Sequence, residues 1–403
     1  MESYDFLLVI AIILLSTKIL GLLTRRVHLP SVVGALLAGI ILGPSMLGLL
    51  HETDFLRKSA EIGVIILMFL AGLDTDIKEL KKTGFASFVI AILGVGIPLL
   101  GGYLTYEFFF PNAYDELHML KAIFMGVILT ATSVSITVET LREMGKLKGK
   151  VGTAILGAAI LDDILGIIIL SVVTGFTDKS VHTSIVLLKI LAFFVFIAVV
   201  WFLLNKLFMK FIVEWGSKRR VSVCILAFCF ILSYISEEFF GVADITGAYF
   251  AGLMLCNVLD TKTYVAKKVT VASYLFFSPM FFASIGIDTV ITGMTTKLLV
   301  FTIVLSVVAI LTKVVGCGIG ARLCKFERKE SLSVGVGMIS RGEVALIVAK
   351  KGAQANIIDT ELFSPIVIMI VVTTLITPLL LKVVMKNKNE LQDKKITHAI
   401  ASK

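Results

Sequence analysis

The sequence predicts an all-α, multi-pass membrane protein of about thirteen spans, built as an inverted-topology repeat that contains interrupted helices. Three observations carry this. The 403-residue chain is 57% hydrophobic and only 17% charged, with a mean hydropathy of +0.98, unlike a soluble domain of this size. Its apolar residues form runs long enough for membrane helices, without the dyad alternation of a membrane β-barrel. Two sequence blocks also recur at nearly one spacing.

The runs fall at 5–23, 31–50, 60–77, 84–110, 120–140, 151–175, 184–212, 221–238, 243–258, 269–287, 297–322, 331–350 and 361–383. The first, apolar from about Phe6 to Leu23, follows Glu2 and Asp5 rather than a basic segment, so it reads as a retained span and not as a secretory signal. The net charge of +9 does not point to nucleic acid, because the basic residues sit in short loops between apolar runs. Most lie on alternate loops, among them Arg25 and Arg26, Lys81 and Lys82, Lys148 and Lys150, and Arg219 and Arg220. Under the positive-inside rule this places the N-terminus outside and the C-terminus in the cytoplasm. The five cysteines, Cys224, Cys229, Cys256, Cys317 and Cys324, have no zinc-ligand spacing and are expected to be small buried hydrophobes. The five histidines lie in or near loops, and none is assigned a role.

The repeat is visible in two blocks. VVGALLAGIILGP (32–44) resembles DITGAYFAGLMLCN (244–257), with Gly34 over Gly247 and Gly39 over Gly252. FLAGLDTDI (69–77) resembles FASIGIDTVI (282–291), with Asp74 over Asp288. The displacement is seven spans, an odd number, so the two copies face opposite ways across the membrane. The fifth and twelfth spans then correspond, and both carry polar clusters mid-run. The fifth holds Thr130, Thr132, Ser133, Ser135 and Thr137; the twelfth holds Ser340, Arg341 and Glu343 among glycines. Paired interruptions of this kind mark a transport site. They bring helix ends, with their partial charges, to the bilayer centre, where Arg341 and Glu343 are suited to compensate them.

Asp162 and Asp163 stand alone in the charge-free run between Lys150 and Asp178. Asp162 is about 18 Å along a helix from Lys150, near the middle of a hydrocarbon core about 30 Å thick. An ionisable group there costs roughly 3 kcal/mol or more, and two adjacent carboxylates add repulsion. A proton or a hard cation such as sodium is the natural ligand, with hydroxyl oxygens such as those of Thr132 and Ser133 as further donors. Lys313 is the sole charge between Lys297 and Arg322. It too falls mid-span and must pair or lose its proton. Pairing with one aspartate leaves the other for the ion.

Together TATSVSIT, ILDDILG, the mid-span Lys313 and ISRGEVALI resemble the bacterial monovalent cation:proton antiporters of the NapA and Kef type, over nearly the whole chain. Spore-germination, GerN-like members look similar. The resemblance implies an NhaA/NapA-like fold with two crossed discontinuous helices, and a homodimer. It makes Asp163 the main cation site, Asp162 the partner of Lys313, and Arg341 and Glu343 supports of the broken helices. Kef-type members tend to have glutamine before the aspartate, so Asp162 points to the sodium side. Kef-type members also carry a soluble nucleotide-binding domain after the membrane part; with about twenty residues there, such control in cis is not expected.

The resulting expectation is a non-enzymatic secondary antiporter in the bacterial cytoplasmic membrane. It exchanges sodium or lithium for protons by alternating access, electrogenically, with no cofactor and no nucleic-acid partner. A potassium/proton exchanger of the Kef or germination type is the alternative. An intramembrane aspartyl protease would need its carboxylates on different helices, facing each other, and a channel would not need the repeat. The transmembrane domain is expected over 1–385, with a core at about 60–175 and 269–383, dimerisation segments at 5–50 and 184–258, and a cytoplasmic tail at 386–403.

Overall fold

Helices form wherever apolar runs are bounded by cap residues or loop charges. The computed structural model describes residues 4–26, 30–111, 117–177, 183–204, 218–256, 259–287, 294–354, 357–358 and 360–385. The expected tail, the end of the seventh run and Asp288 lie outside them. All regular structure among these residues is helical.

In chain order the helices are α1 (Asp5–Arg26), α2 (Ser31–Leu42), α3 (Asp54–Asp74), α4 (Ile77–Phe109), α5 (His118–Thr130), α6 (Val134–Glu143), α7 (Lys150–Thr177) and α8 (Thr183–Leu203). They continue with α9 (Lys218–Phe240), α10 (Asp244–Leu255), α11 (Leu259–Ala272), α12 (Ser278–Ile287), α13 (Thr296–Leu323), α14 (Arg328–Gly337), α15 (Glu343–Gln354) and α16 (Phe363–Val384). A π-helical turn, Ser273–Phe277, joins α11 to α12. Among the described residues, nine helical segments are long and apolar enough to cross a membrane.

Side-chain caps set several starts. Thr53 accepts from the Leu56 amide ahead of α3 and Thr295 from the Leu298 amide ahead of α13. Asp76 accepts from the Lys78 and Glu79 amides ahead of α4. Glu327 and Glu330 form a reciprocal capping box on α14. Each satisfies first-turn donors that have no partner within their own helix. After α6 the chain turns at Gly145 with φ of +67°, a left-handed conformation that suits glycine.

The helices pack as two bundles. One contains α1, α2, α3, α9, α10, α11 and α12; the other contains α4, α5, α6, α7, α13, α14, α15 and α16. Helix α8 touches both, through α9 and α7. The bundles meet mainly where α6 lies against α2 and α3, and where α16 meets α2. The sequence reading had grouped residues 60–77 and 269–287 with the core. Packing instead joins α3 to α10 and α12 to α2, because glycine lets those pairs approach backbone to backbone.

That approach is reciprocal. A Cβ on Gly39 would collide with the Ala283 carbonyl, and one on Gly252 with the Phe69 carbonyl. A Cβ on Gly286 would meet the Leu36 carbonyl, and one on Gly72 the Tyr249 carbonyl. Under the offset of the two sequence blocks, Gly39 pairs with Gly252, Gly72 with Gly286, Phe69 with Ala283 and Leu36 with Tyr249. Each contact in one pair of helices therefore recurs in the other. Small residues allow this because membrane helices gain mainly from close van der Waals packing.

Large apolar side chains stay exposed along the outer helices, among them Phe85, Leu188, Tyr234 and Leu311. Acyl chains are the solvent that suits such a surface. Cysteine burial departs from expectation at two positions. Cys229, Cys256 and Cys317 are buried, but Cys224 is exposed and Cys324 half-buried. Cys224 lies on a face of α9 left exposed by the other described residues.

Candidate functional site

The fifth run is two helices, α5 and α6, separated by Ala131, Thr132 and Ser133 in non-helical conformation. The twelfth is also two, α14 and α15, separated by residues 338–342. A helix cannot continue through either segment, so backbone groups at four helix ends need other partners. The two breaks supply them to each other. The Ser133 amide donates to the Ser340 carbonyl at 2.7 Å. The Ser340 hydroxyl donates back to the Ser133 carbonyl at 2.8 Å. Thr137 donates to the Gly337 carbonyl at the end of α14, at 2.7 Å, and lies 2.9 Å from the Ser340 hydroxyl. Ser133 and Ser135 hydroxyls are 3.2 Å apart.

Arg341 is fully buried and caps two C-terminal ends at once. Its Nη2 donates to the Leu129 carbonyl in the last turn of α5 at 2.8 Å, and its Nη1 to the Ile339 carbonyl just past α14 at 2.5 Å. Both ends carry the negative pole of their helix dipole, which a guanidinium neutralises. Thr374 on α16 donates to the Arg341 carbonyl and ties the second break to a continuous helix. The side chain of Glu343, expected as a second support, lies outside the described residues; its backbone opens α15.

Asp162 and Asp163 stand mid-way along α7, both buried. Lys313 on α13 donates from Nζ to Asp162 Oδ1 at 2.8 Å, with both side chains at 0% exposure. Room for the ammonium comes from α4: a Cβ on Gly94 would sit 2.5 Å from Cys317 Sγ and 3.9 Å from Lys313 Nζ. Asp162 Oδ2 and Thr132 Oγ1 are buried with no hydrogen-bond partner among the described residues. The Thr132 hydroxyl lies within reach of Asp162 and the Arg341 charge acts on the same carboxylate, so the carboxylate pair and the breaks adjoin.

The donor set is chemically uniform: carboxylate, hydroxyl and main-chain carbonyl oxygens, with no soft ligand. It suits a hard monovalent cation or a proton. Buried oxygens left without hydrogen-bond donors are costly when bare, and a cation relieves that cost. Among the described residues no group of three His, Cys, Asp or Glu is placed to hold a metal ion, so a tightly caged transition metal does not fit.

Outside the membrane-spanning part, Lys150 at the start of α7 donates to Glu330 at the start of α14 at 2.8 Å. Desolvation opposes ionisation of Glu330. The Lys150 hydrogen bond, the Glu327 amide and the Lys150 charge outweigh it and hold the carboxyl below its ordinary range.

The sequence reading did not single out Thr374 or the Leu129 carbonyl. Thr373, Thr374 and Thr377 are buried hydroxyls in an otherwise apolar helix, and that composition was the available signal.

With this geometry in view, comparison with known proteins is informative. The family described as "Sodium/hydrogen exchanger, transmembrane" matches residues 10–387. The Na(+)/H(+)-K(+) antiporter GerN of Bacillus cereus is 40% identical over 386 residues, covering 94% of this chain and 96% of that protein. A Na(+)/H(+) antiporter of Enterococcus hirae is 38% identical over 386 residues, covering 94% and 97%. The sodium proton antiporter MjNhaP1 of Methanocaldococcus jannaschii has a similar structure at pH 8. Its TM-score is 0.70 at 19% identity, with 95% of this chain and 97% of that one covered. At that identity the likeness bears on the fold alone.

Proposed function

The chain belongs to the sodium/hydrogen exchanger family of transmembrane proteins, and on that premise we propose that Asp162, Asp163, Thr132 and Ser133 bind the exchanged ions. The protein is an antiporter that exchanges sodium for protons across a bacterial membrane. The observation that carries the site is the buried Lys313–Asp162 pair, whose second oxygen, Asp162 Oδ2, and the Thr132 hydroxyl at the first break are buried without a hydrogen-bond partner among the described residues.

A carboxylate in a low-dielectric site holds either a proton or a cation, and the two compete. Asp163 releases its proton and takes up sodium. Asp162, with hydroxyl and carbonyl oxygens from the first break, completes a hard oxygen shell. Cation binding parts Asp162 from Lys313, whose unpaired buried ammonium then gives up a proton, so two protons, from Asp163 and Lys313, move per cation and exchange is electrogenic. Arg341, with Glu343 as a second support, holds the broken helices so that their ends stay in place while the occupant changes.

Alternating access follows from the two bundles. The bundle of α4–α7 and α13–α16 carries the site; the other, with α1–α3 and α9–α12, serves as a frame and dimerisation surface. A seam limited mainly to α6 and α16 supports rigid-body movement of one against the other. The reciprocal glycine contacts support an inverted repeat of thirteen spans whose interrupted helices cross. The N-terminus is outside, the C-terminal tail is cytoplasmic, and the chain forms a homodimer. Lithium is a further substrate.

Potassium/proton exchange is the second reading, favoured by the potassium in the printed name of the GerN relative. The test is the protein in proteoliposomes with an imposed pH gradient and a lumenal pH dye, pulsed with sodium or potassium. Sodium is expected to collapse the gradient at concentrations where potassium does not; equal responses would favour the second reading, and none to either would overturn both. Lys313→Gln is expected to change the voltage and pH dependence. Unchanged electrogenic exchange would remove Lys313 from proton carriage.

A further inference from the structure

Helix α6 is the cytoplasmic-side half of the first broken run, and it ends in charge. At that end the two bundles are joined by polar links of several kinds. Asp74, the last residue of α3, faces Arg142 of α6 at 3.7 Å and Lys148 of the α6–α7 loop at 3.2 Å. Glu143 of α6 accepts from the Ser31 amide at the start of α2 at 2.9 Å and from the Ser31 hydroxyl. Arg25 at the end of α1 stands 4.0 Å from Glu143. Glu139 steadies Arg142 from one turn back, at 3.3 Å. Most of these groups are largely shielded, with Asp74 at 27%, Arg142 at 19% and Glu143 at 18% side-chain exposure. Partial shielding strengthens such links relative to open surface pairs.

The repeat mate of α6 behaves differently. Helix α15 packs on α5 and α16, both in its own bundle, whereas α6 packs on α7 and α16 of its own bundle and also reaches across the seam to α2 and α3. A repeat whose halves are equivalent in sequence position but unequal in packing is a two-state element held in one state. The links at the end of α6 are what differ in kind from ordinary apolar contact.

We propose that Asp74, with Arg142 and Lys148, forms an electrostatic latch that closes the cytoplasmic seam. Parting it is the step that admits the inward-facing state. Glu143 and Ser31 reinforce it by anchoring the same helix end to α2. The inference rests on the alternating-access reading above. The latch sits on α3 and α6 away from the ion site, so neutralising it biases the conformational equilibrium without removing an ion ligand. A ligand or contact shifts such an equilibrium only by its differential stabilisation of the two states.

The experiment is hydrogen–deuterium exchange of the full chain in lipid nanodiscs, for wild type, Asp74→Asn and Asp74→Glu, with thermal stability measured alongside. Asp74→Asn is expected to speed amide exchange in 31–42 and 134–143 by about fivefold, the shift that loss of a modest ionic contact produces. Exchange in 343–354 is expected to slow, because populating one state depletes the other. Asp74→Glu, which keeps the charge, should restore most of the wild-type pattern. Faster exchange at the α6 seam alone, with no reciprocal change in 343–354, would mean a local structural role and would overturn the latch. No change in either region would also overturn it. Wild-type exchange of sodium for protons in proteoliposomes is the separate control: its absence would sink the functional reading, whereas its presence with a flat deuterium result sinks only the latch.

Discussion

The glycine-packed frame and the hydroxyl-lined site are built from the same repeat but solve opposite problems. In the frame, α2 meets α12 and α3 meets α10 through Gly39, Gly286, Gly72 and Gly252, with carbonyl oxygens of the partner where side chains would otherwise be. These contacts are made by backbone and glycine, and they match across the repeat. At the site the repeat is kept in outline only. Both runs break, yet Arg341 comes from the second copy and Thr132 and Ser133 from the first. Lys313 corresponds to Leu99, and the run matching Asp162 and Asp163 carries no charge between Glu361 and Lys382. On the proposed reading, symmetry supplies the scaffold, and asymmetric charge makes one position in it the ion site.

That comparison is broken most severely at Arg341. Arg341→Met removes the donors to the Leu129 and Ile339 carbonyls, and a stranded buried acceptor costs about 1–3 kcal/mol. Thermal unfolding of the purified protein should fall by several degrees and exchange should be lost. A variant as stable as wild type would mean the two helix ends find other donors, so that the breaks are not held by this side chain.

A smaller effect sharpens the frame. Gly39→Ala and Gly252→Ala each place a methyl against a facing carbonyl and should destabilise by about 1–3 kcal/mol, as overpacking does. The two losses should be similar, since the contacts are repeat mates. Gly96→Ala on α4 meets nothing within 4 Å and should be neutral or slightly stabilising, through the better helix propensity of alanine. Thermal unfolding of all three decides it. Tolerance of Gly39→Ala beside intolerance of Gly252→Ala would contradict a symmetric frame.

Much of this was legible in the sequence, for a physical reason. Charges in hydrocarbon are so unfavourable that Lys313, alone mid-run, points to one carboxylate of the Asp162–Asp163 pair; the resemblance, not the spacing, says which. Polar clusters in two matching runs pointed to both breaks, because helix ends brought to that depth need polar partners. What stayed hidden depends on tertiary contact. That Arg341 reaches Leu129, 212 positions away, follows from how two helices approach and not from any local pattern. Thr374 is one of three buried threonines on α16. The hydroxyls of Thr373 and Thr377 bond back to their own helix, and composition does not reveal which one reaches across. The grouping of α3 and α12 with the frame was missed because hydropathy says that a helix crosses the membrane and not which neighbour it chooses.

The central claim is that the carboxylate pair on α7 carries both ions. Its most direct test is sodium-driven proton movement in proteoliposomes for Asp163→Asn beside wild type, over a range of pH. Wild type should lose activity steeply as pH falls, because protons then occupy the carboxylates that sodium needs. Asp163→Asn, with the same shape and no charge to exchange, should give no sodium response at any pH while retaining wild-type thermal stability. A sodium response that survives in the folded variant would contradict the account and place the exchange site elsewhere in the protein.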